Sequence, residues 1–119
     1  MKIRIKGNSV RYRLTKTDVD LFYKNQYLQD STNFGNRQLI YRLEAAEQDS
    51  LTALFVDNII TVTIPITKLA ELAQTDRVGF DGKDGGLYLL IEKDFQCLDD
   101  VIEDQSDNYP NPLAFNKSV

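Results

Sequence analysis

The first sixteen residues, Met1 to Lys16, carry six basic side chains (Lys2, Arg4, Lys6, Arg11, Arg13, Lys16) and no acid. Within that run, charge alternates with apolar residues twice, in Lys2-Ile3-Arg4-Ile5-Lys6 and in Val10-Arg11-Tyr12-Arg13-Leu14. Period-two alternation marks a half-buried strand, and Gly7-Asn8 between the runs supplies the positive φ that a tight hairpin needs. With those two residues in the loop, Ile5 faces Val10, Arg4 faces Arg11, Ile3 faces Tyr12 and Lys2 faces Arg13. Ile3, Ile5, Val10 and Tyr12 then share one face, and Lys2, Arg4, Lys6, Arg11 and Arg13 the other. Like charges directly opposite one another destabilise a strand pair, so this face needs an anionic partner or open water.

The rest of the chain supplies acid. The net charge is −4, and residues 94–119 contain six acids against one base. The expected match is therefore internal: the acidic segment 94–107 covers the basic hairpin, within the chain or from a second copy. The alternatives are a solvated face and a polyanion site, such as RNA, on the five cations. An overall negative charge opposes nucleic acid as the default partner, because that binding draws on counterion release by a positive surface.

Further along, Thr15 with Asp18 forms a capping signature, and Leu14 staples onto Val19. Val19, Phe22, Tyr23 and Tyr27 recur at helical spacing, which predicts a helix over 16–26. Residues 29–36 are rich in turn formers and read as a loop. Arg37 to Ala46 alternates as a strand, with Leu39, Tyr41 and Leu43 inward. Leu51 to Val56 and Ile59 to Ile66 form a hairpin across Asp57-Asn58, both of which tolerate left-handed backbone. Pro65 ends that strand, and Thr67 caps a short helix from Lys68 to Gln74. Val78 to Phe80 and Leu87 to Glu92 read as a last hairpin around a loose Asp81–Gly86 loop.

Seven strands with two short helices give a mainly β (α+β) fold, built as a small curled antiparallel sheet or a small barrel. At 119 residues one globular domain is expected, over 1–98, with 99–119 as an acidic tail containing Pro and Asn. No internal repeat is read. No apolar run reaches membrane-spanning length and Met1-Lys2-Ile3-Arg4 lacks a leader's apolar stretch, so a cytoplasmic location is expected. The single Cys97 fits a reducing compartment.

The chain has no histidine, which removes Ser-His-Asp and Cys-His nucleophiles and the commonest zinc sites. Asp81 to Glu92 mimics the length of an EF-hand loop, but Lys83 and Gly85 stand at ligand positions, so no metal is expected. The carboxylate pairs Asp99-Asp100 and Glu103-Asp104 lie in the least patterned stretch. No cofactor is expected, and the residues favour a non-catalytic module that associates with itself.

The opening run 1–15, with Phe34-Gly35, residues 75–80, Glu92-Lys93-Asp94-Phe95, Cys97-Leu98 and residues 109–112, resembles a family of small bacterial proteins carrying a domain of unknown function. That resemblance spans nearly the whole chain and implies no functional residues. It also implies an architecture similar to the Sm-like small barrels, whose members form rings and bind RNA. The basic hairpin before the helix and the acidic tail depart from that pattern.

Overall fold

The computed structural model describes residues 1–95 and 106–110. Among them the chain order is β1 (Lys2–Ile5), β2 (Ser9–Leu14), α1 (Lys16–Asn25), β3 (Tyr27–Asn33), β4 (Gln38–Ala46), β5 (Thr52–Val56), β6 (Ile59–Pro65), α2 (Ile66–Gln74), β7 (Gly79–Asp84) and β8 (Leu87–Lys93).

Both local hairpins form in the register that the alternation dictates. Ile5 pairs with Val10 and Lys2 with Arg13 across Gly7-Asn8, and Val56 pairs with Ile59 across Asp57-Asn58. Gly7, Asp57 and Asn58 all adopt positive φ, as two-residue turns between twisted strands require. Helix α1 starts at the expected capping box: the Asp18 amide donates to Thr15 Oγ1 at 3.2 Å, and the Thr15 amide donates to Asp18 Oδ2 at 3.0 Å. Its Val19 and Phe22 are buried, whereas Tyr23 is exposed, as is Tyr27, which lies beyond the helix at the start of β3.

The strands do not form one curled antiparallel sheet or a closed Sm-like barrel. They form two four-stranded mixed sheets, in the orders β1-β2-β8-β7 and β3-β4-β6-β5. In each, two antiparallel hairpins meet through a parallel central pair, β2 with β8 and β4 with β6. The inner strands present Val10, Tyr12, Leu14, Leu89 and Ile91 from one sheet and Tyr41, Leu43, Ile60, Val62 and Ile64 from the other to a common core. Packing two apolar faces on each other buries both without the shear that a closed barrel imposes.

The architecture is an internal structural duplication, although the sequence itself shows no repeat. Val10 and Ile60, Tyr12 and Val62, Leu14 and Ile64, Val19 and Leu69, and Phe22 and Leu72 are each 50 positions apart and all buried. Two strand–strand–helix–strand–strand units thus interlock, each giving one hairpin to each sheet. Helices α1 and α2 carry the chain from one sheet to the other and touch each other at one pole. The turns gather at the opposite pole, where related bonds recur: the Tyr88 amide donates to the Asn8 carbonyl and the Ile40 amide to the Asn58 carbonyl, both at 3.0 Å.

Three local readings need correction. Residues 29–33, read as loop, belong to β3, which pairs with β4 along seven residues. Residues 81–84, also read as loop, complete β7, leaving Gly85-Gly86 as the turn. Both are edge strands, and an edge needs only one ladder and tolerates polar residues. Helix α2 begins at Ile66, two residues before the expected start, with Pro65 at the cap position and no side-chain cap.

The expected domain boundary at 98 lies outside the described residues. Residues 106–110 return to the domain: the Tyr109 amide donates to the Asp94 carbonyl at 2.8 Å, and the Tyr109 ring lies 5.9 Å from that of Phe95. Among the described residues no helix is long and apolar enough to cross a membrane.

Candidate functional site: a cationic sheet face

The outer face of the first sheet carries the five cations singled out from sequence. Strand pairing sets Lys2 beside Arg13 and Arg4 beside Arg11. The parallel pairing then places Ser9 beside Tyr88, Arg11 beside Leu90 and Arg13 beside Glu92.

This face divides into two halves. Toward the helix pole, acids answer the cations. Glu92 Oε1 receives Arg13 Nε at 3.1 Å and Arg11 Nε at 3.4 Å. Lys2 Nζ lies 3.1 Å from Oδ2 of the buried Asp94. Glu92 is therefore the main neutraliser, and it precedes the acidic segment from which cover was expected. Of that segment, Asp94 alone among the described residues meets the hairpin. Asp107 instead bonds the start of α1, through Thr17 Oγ1 at 3.0 Å. Asp99, Asp100, Glu103, Asp104 and Cys97 lie outside the described residues.

Toward the turn pole the cations are less matched among the described residues, where only Arg11 shares Glu92. Arg4, Lys6 and Arg11 surround a concavity of about 230 Å³ that Ser9, Tyr88 and Leu90 complete, with no acid among its lining residues. Arg4 and Lys6 are exposed and make no ion pair with any described residue. The Tyr88 hydroxyl donates to Asp81 Oδ2 at 3.0 Å, and that bond raises its pKa.

Tyr12 and Tyr41, which the alternation places on inward faces, are buried in the core and offer no face to a ligand. Tyr88 is the aromatic residue that reaches the cationic face. Its position follows from the alternation Tyr88, Leu90, Glu92 opposite Leu89 and Ile91, a signal present in the sequence within the stretch read as the second strand of the last hairpin.

Lys93 is a different case. It is buried at the end of β8, donates to the Thr75 carbonyl at 3.1 Å and lies 4.9 Å from the centre of the Tyr109 ring. Burial lowers its pKa. It serves the packing of residues 106–110 and lies outside the concavity. Among the described residues no group of three or more Asp, Glu or Cys is placed to hold a metal ion.

The chain belongs to a family of unknown function (DUF7009), which it matches over residues 1–113. No curated protein and no solved structure matches it.

Proposed function

We propose that the protein is a non-catalytic binding module that takes a phosphate-bearing anion at the corner formed by Arg4, Lys6 and Arg11. The observation that carries this reading is the division of one sheet face. Arg4, Lys6 and Arg11 converge on a concavity with no acid in its lining, Arg11 sharing Glu92 with Arg13 at its rim, while Asp94 answers Lys2 in the other half. Guanidinium and ammonium groups around one hollow suit a compact anion with several acceptor oxygens. The hydroxyl of Ser9 and the ring of Tyr88 add a polar wall and a surface on which a base can stack.

The net charge of −4 opposes a long polyanion, whose attraction would have to come from this corner. The favoured ligand is therefore short: a phosphorylated small molecule, or a few nucleotides of single-stranded RNA as the polymeric case.

The test is a titration with inorganic phosphate followed by amide shifts of Lys6, Ser9 and Tyr88, beside anisotropy with a labelled single-stranded RNA. Saturable shifts confined to these residues are expected, and Arg4→Glu with Lys6→Glu abolishes them. If RNA is the ligand, affinity falls with salt at a log–log slope of about −2 for three phosphate contacts. Absence of both responses at low salt, or binding that survives the double substitution, overturns the reading.

A further inference from the structure

The two interlocked units are not equally protected at the turn pole. There the sheets splay, and an apolar groove of about 370 Å³ opens between them. Its walls are related pairs from the two units: Ile5 with Phe55, Val10 with Ile60, and Leu39 with Leu87. The edge strands that flank it are also related. Strand β1 interleaves its apolar residues with Lys2 and Arg4 and is followed by Lys6, the usual way in which an edge is kept from sticking to another chain. Strand β5 has no charge. Its Leu54, Phe55 and Val56 are 64%, 65% and 50% exposed, and Ile5 across the groove is 57% exposed.

We propose that this groove and the outer side of β5 form a two-fold interface with a second copy of the chain. No charged side chain lines the groove, so its occupant must present apolar surface, and a two-fold axis through Leu54 offers each copy the same patch in return. The four exposed side chains present on the order of 500 Å² per copy, so about 1,000 Å² across the pair, the size at which a specific interface separates from incidental contact. Homodimer interfaces are also the most apolar kind.

The contact is made by side chains and does not extend the sheet. The Ala53 amide, which faces the free edge, already donates to Asp84 Oδ2 at 2.9 Å, so that carboxylate blocks the ladder a docking strand would need. The dimer buries Phe55 and Leu54 of each copy against the other's groove and leaves the concavity at Arg4 and Lys6 on the outer sheet face.

Sedimentation velocity from micromolar to millimolar concentration tests this. A species of twice 13.6 kDa is expected to grow with concentration. Phe55→Asp is expected to weaken it by roughly 100-fold, as loss of a central aromatic anchor does. Leu54→Asp, whose side chain points away from the core, provides a second variant should Phe55→Asp disturb the fold, with circular dichroism as the control. Arg4→Glu with Lys6→Glu is expected to leave the dimer in place, which separates this interface from the anion site. A wild-type chain that stays monomeric throughout, as a groove serving a small apolar molecule or another protein predicts, overturns the proposal. So does a dimer that persists in a folded Phe55→Asp or Leu54→Asp variant.

Discussion

The Tyr12 hydroxyl donates to the Ile60 carbonyl at 3.2 Å, a buried bond that crosses from one sheet to the other. Tyr12 is fully buried, and the position related to it in the second unit is Val62, so this polar tie exists in one half of the duplication only. Removing the hydroxyl in Tyr12→Phe leaves the ring packed and is expected to cost about 1 kcal/mol. That corresponds to a drop in Tm of roughly 4 °C for a chain of this size. Burial raises the Tyr12 pKa above the ordinary tyrosine value. The unfolded chain therefore releases this proton first as pH rises through about 10. Stability is full below that value and falls above it, because the folded state retains a proton that the unfolded state has lost. Urea melts across pH 8 to 11 are expected to show a shallower alkaline decline in Tyr12→Phe than in the parent. Equal declines would remove Tyr12 as the cause.

Glu92 holds two arginines, and its removal has opposite consequences for stability and for binding. Its two contacts are part-exposed, so Glu92→Gln is expected to change stability by no more than about 1 kcal/mol. It also releases Arg11, which already lines the concavity, from its ion pair and leaves the sheet face one charge more positive. Affinity for phosphate or for single-stranded RNA is expected to rise several-fold, with a steeper salt dependence. A loss of affinity in Glu92→Gln would mean that the carboxylate orients the arginines for the ligand instead of competing with it.

The sequence was legible wherever the determinants are neighbours. The Gly7-Asn8 and Asp57-Asn58 turns and the Thr15–Asp18 capping box each lie within a few residues, and their registers follow from alternation alone. Pairings between distant segments left no such mark. Val10 lies beside Leu89, 79 positions away, and no local pattern distinguishes that parallel neighbour from an antiparallel one. The edge strands β3 and β7 were hidden for a related reason: Gln29 to Asn33 and Asp81 to Asp84 have turn chemistry, and their extended form comes from the partner strand. The duplication escaped because it conserves burial and not identity, with Tyr12 answered by Val62 and Phe22 by Leu72. The five cations were found with their correct face, but Glu92 was missed as their partner because it reaches Arg11 and Arg13 only through the β2–β8 pairing.

Gly79 flanks Glu92 on the opposite side of β8, as its partner in the β7–β8 ladder. A Cβ there would collide with the Ile91 carbonyl oxygen and come within 2.9 Å of Glu92 Cα. Both obstacles belong to β8, the central strand that carries Leu89 and Ile91 into the core, so neither yields cheaply. Gly79→Ala is expected to destabilise by about 1–3 kcal/mol, measured by urea denaturation. Gly82→Ala, whose Cβ would sit 3.7 Å from Leu51, is the control and is expected to be near neutral. Comparable losses at both positions would point to general weakness of the edge strand and away from the collision.

Asp107 closes the start of α1. Thr17 donates to its Oδ1 through the hydroxyl at 3.0 Å and through the amide at 3.3 Å, and the Lys16 amide donates to its carbonyl at 3.0 Å. A carboxylate at this end also meets the positive pole of the helix. Hydrogen bonds from the Thr15 and Thr17 side chains lower its pKa. The contact is thus complete above the ordinary aspartate range and is lost as pH falls through the lowered folded value, since protonation removes the acceptor charge. The amide shift of Thr17 is expected to titrate with a midpoint below about 3.9, the unperturbed aspartate value. Asp107→Asn is expected to abolish that titration and to raise exchange at the Lys16 and Thr17 amides. A midpoint at or above the ordinary value, or exchange unchanged in Asp107→Asn, would mean that residues 106–110 are held by the Tyr109 packing alone.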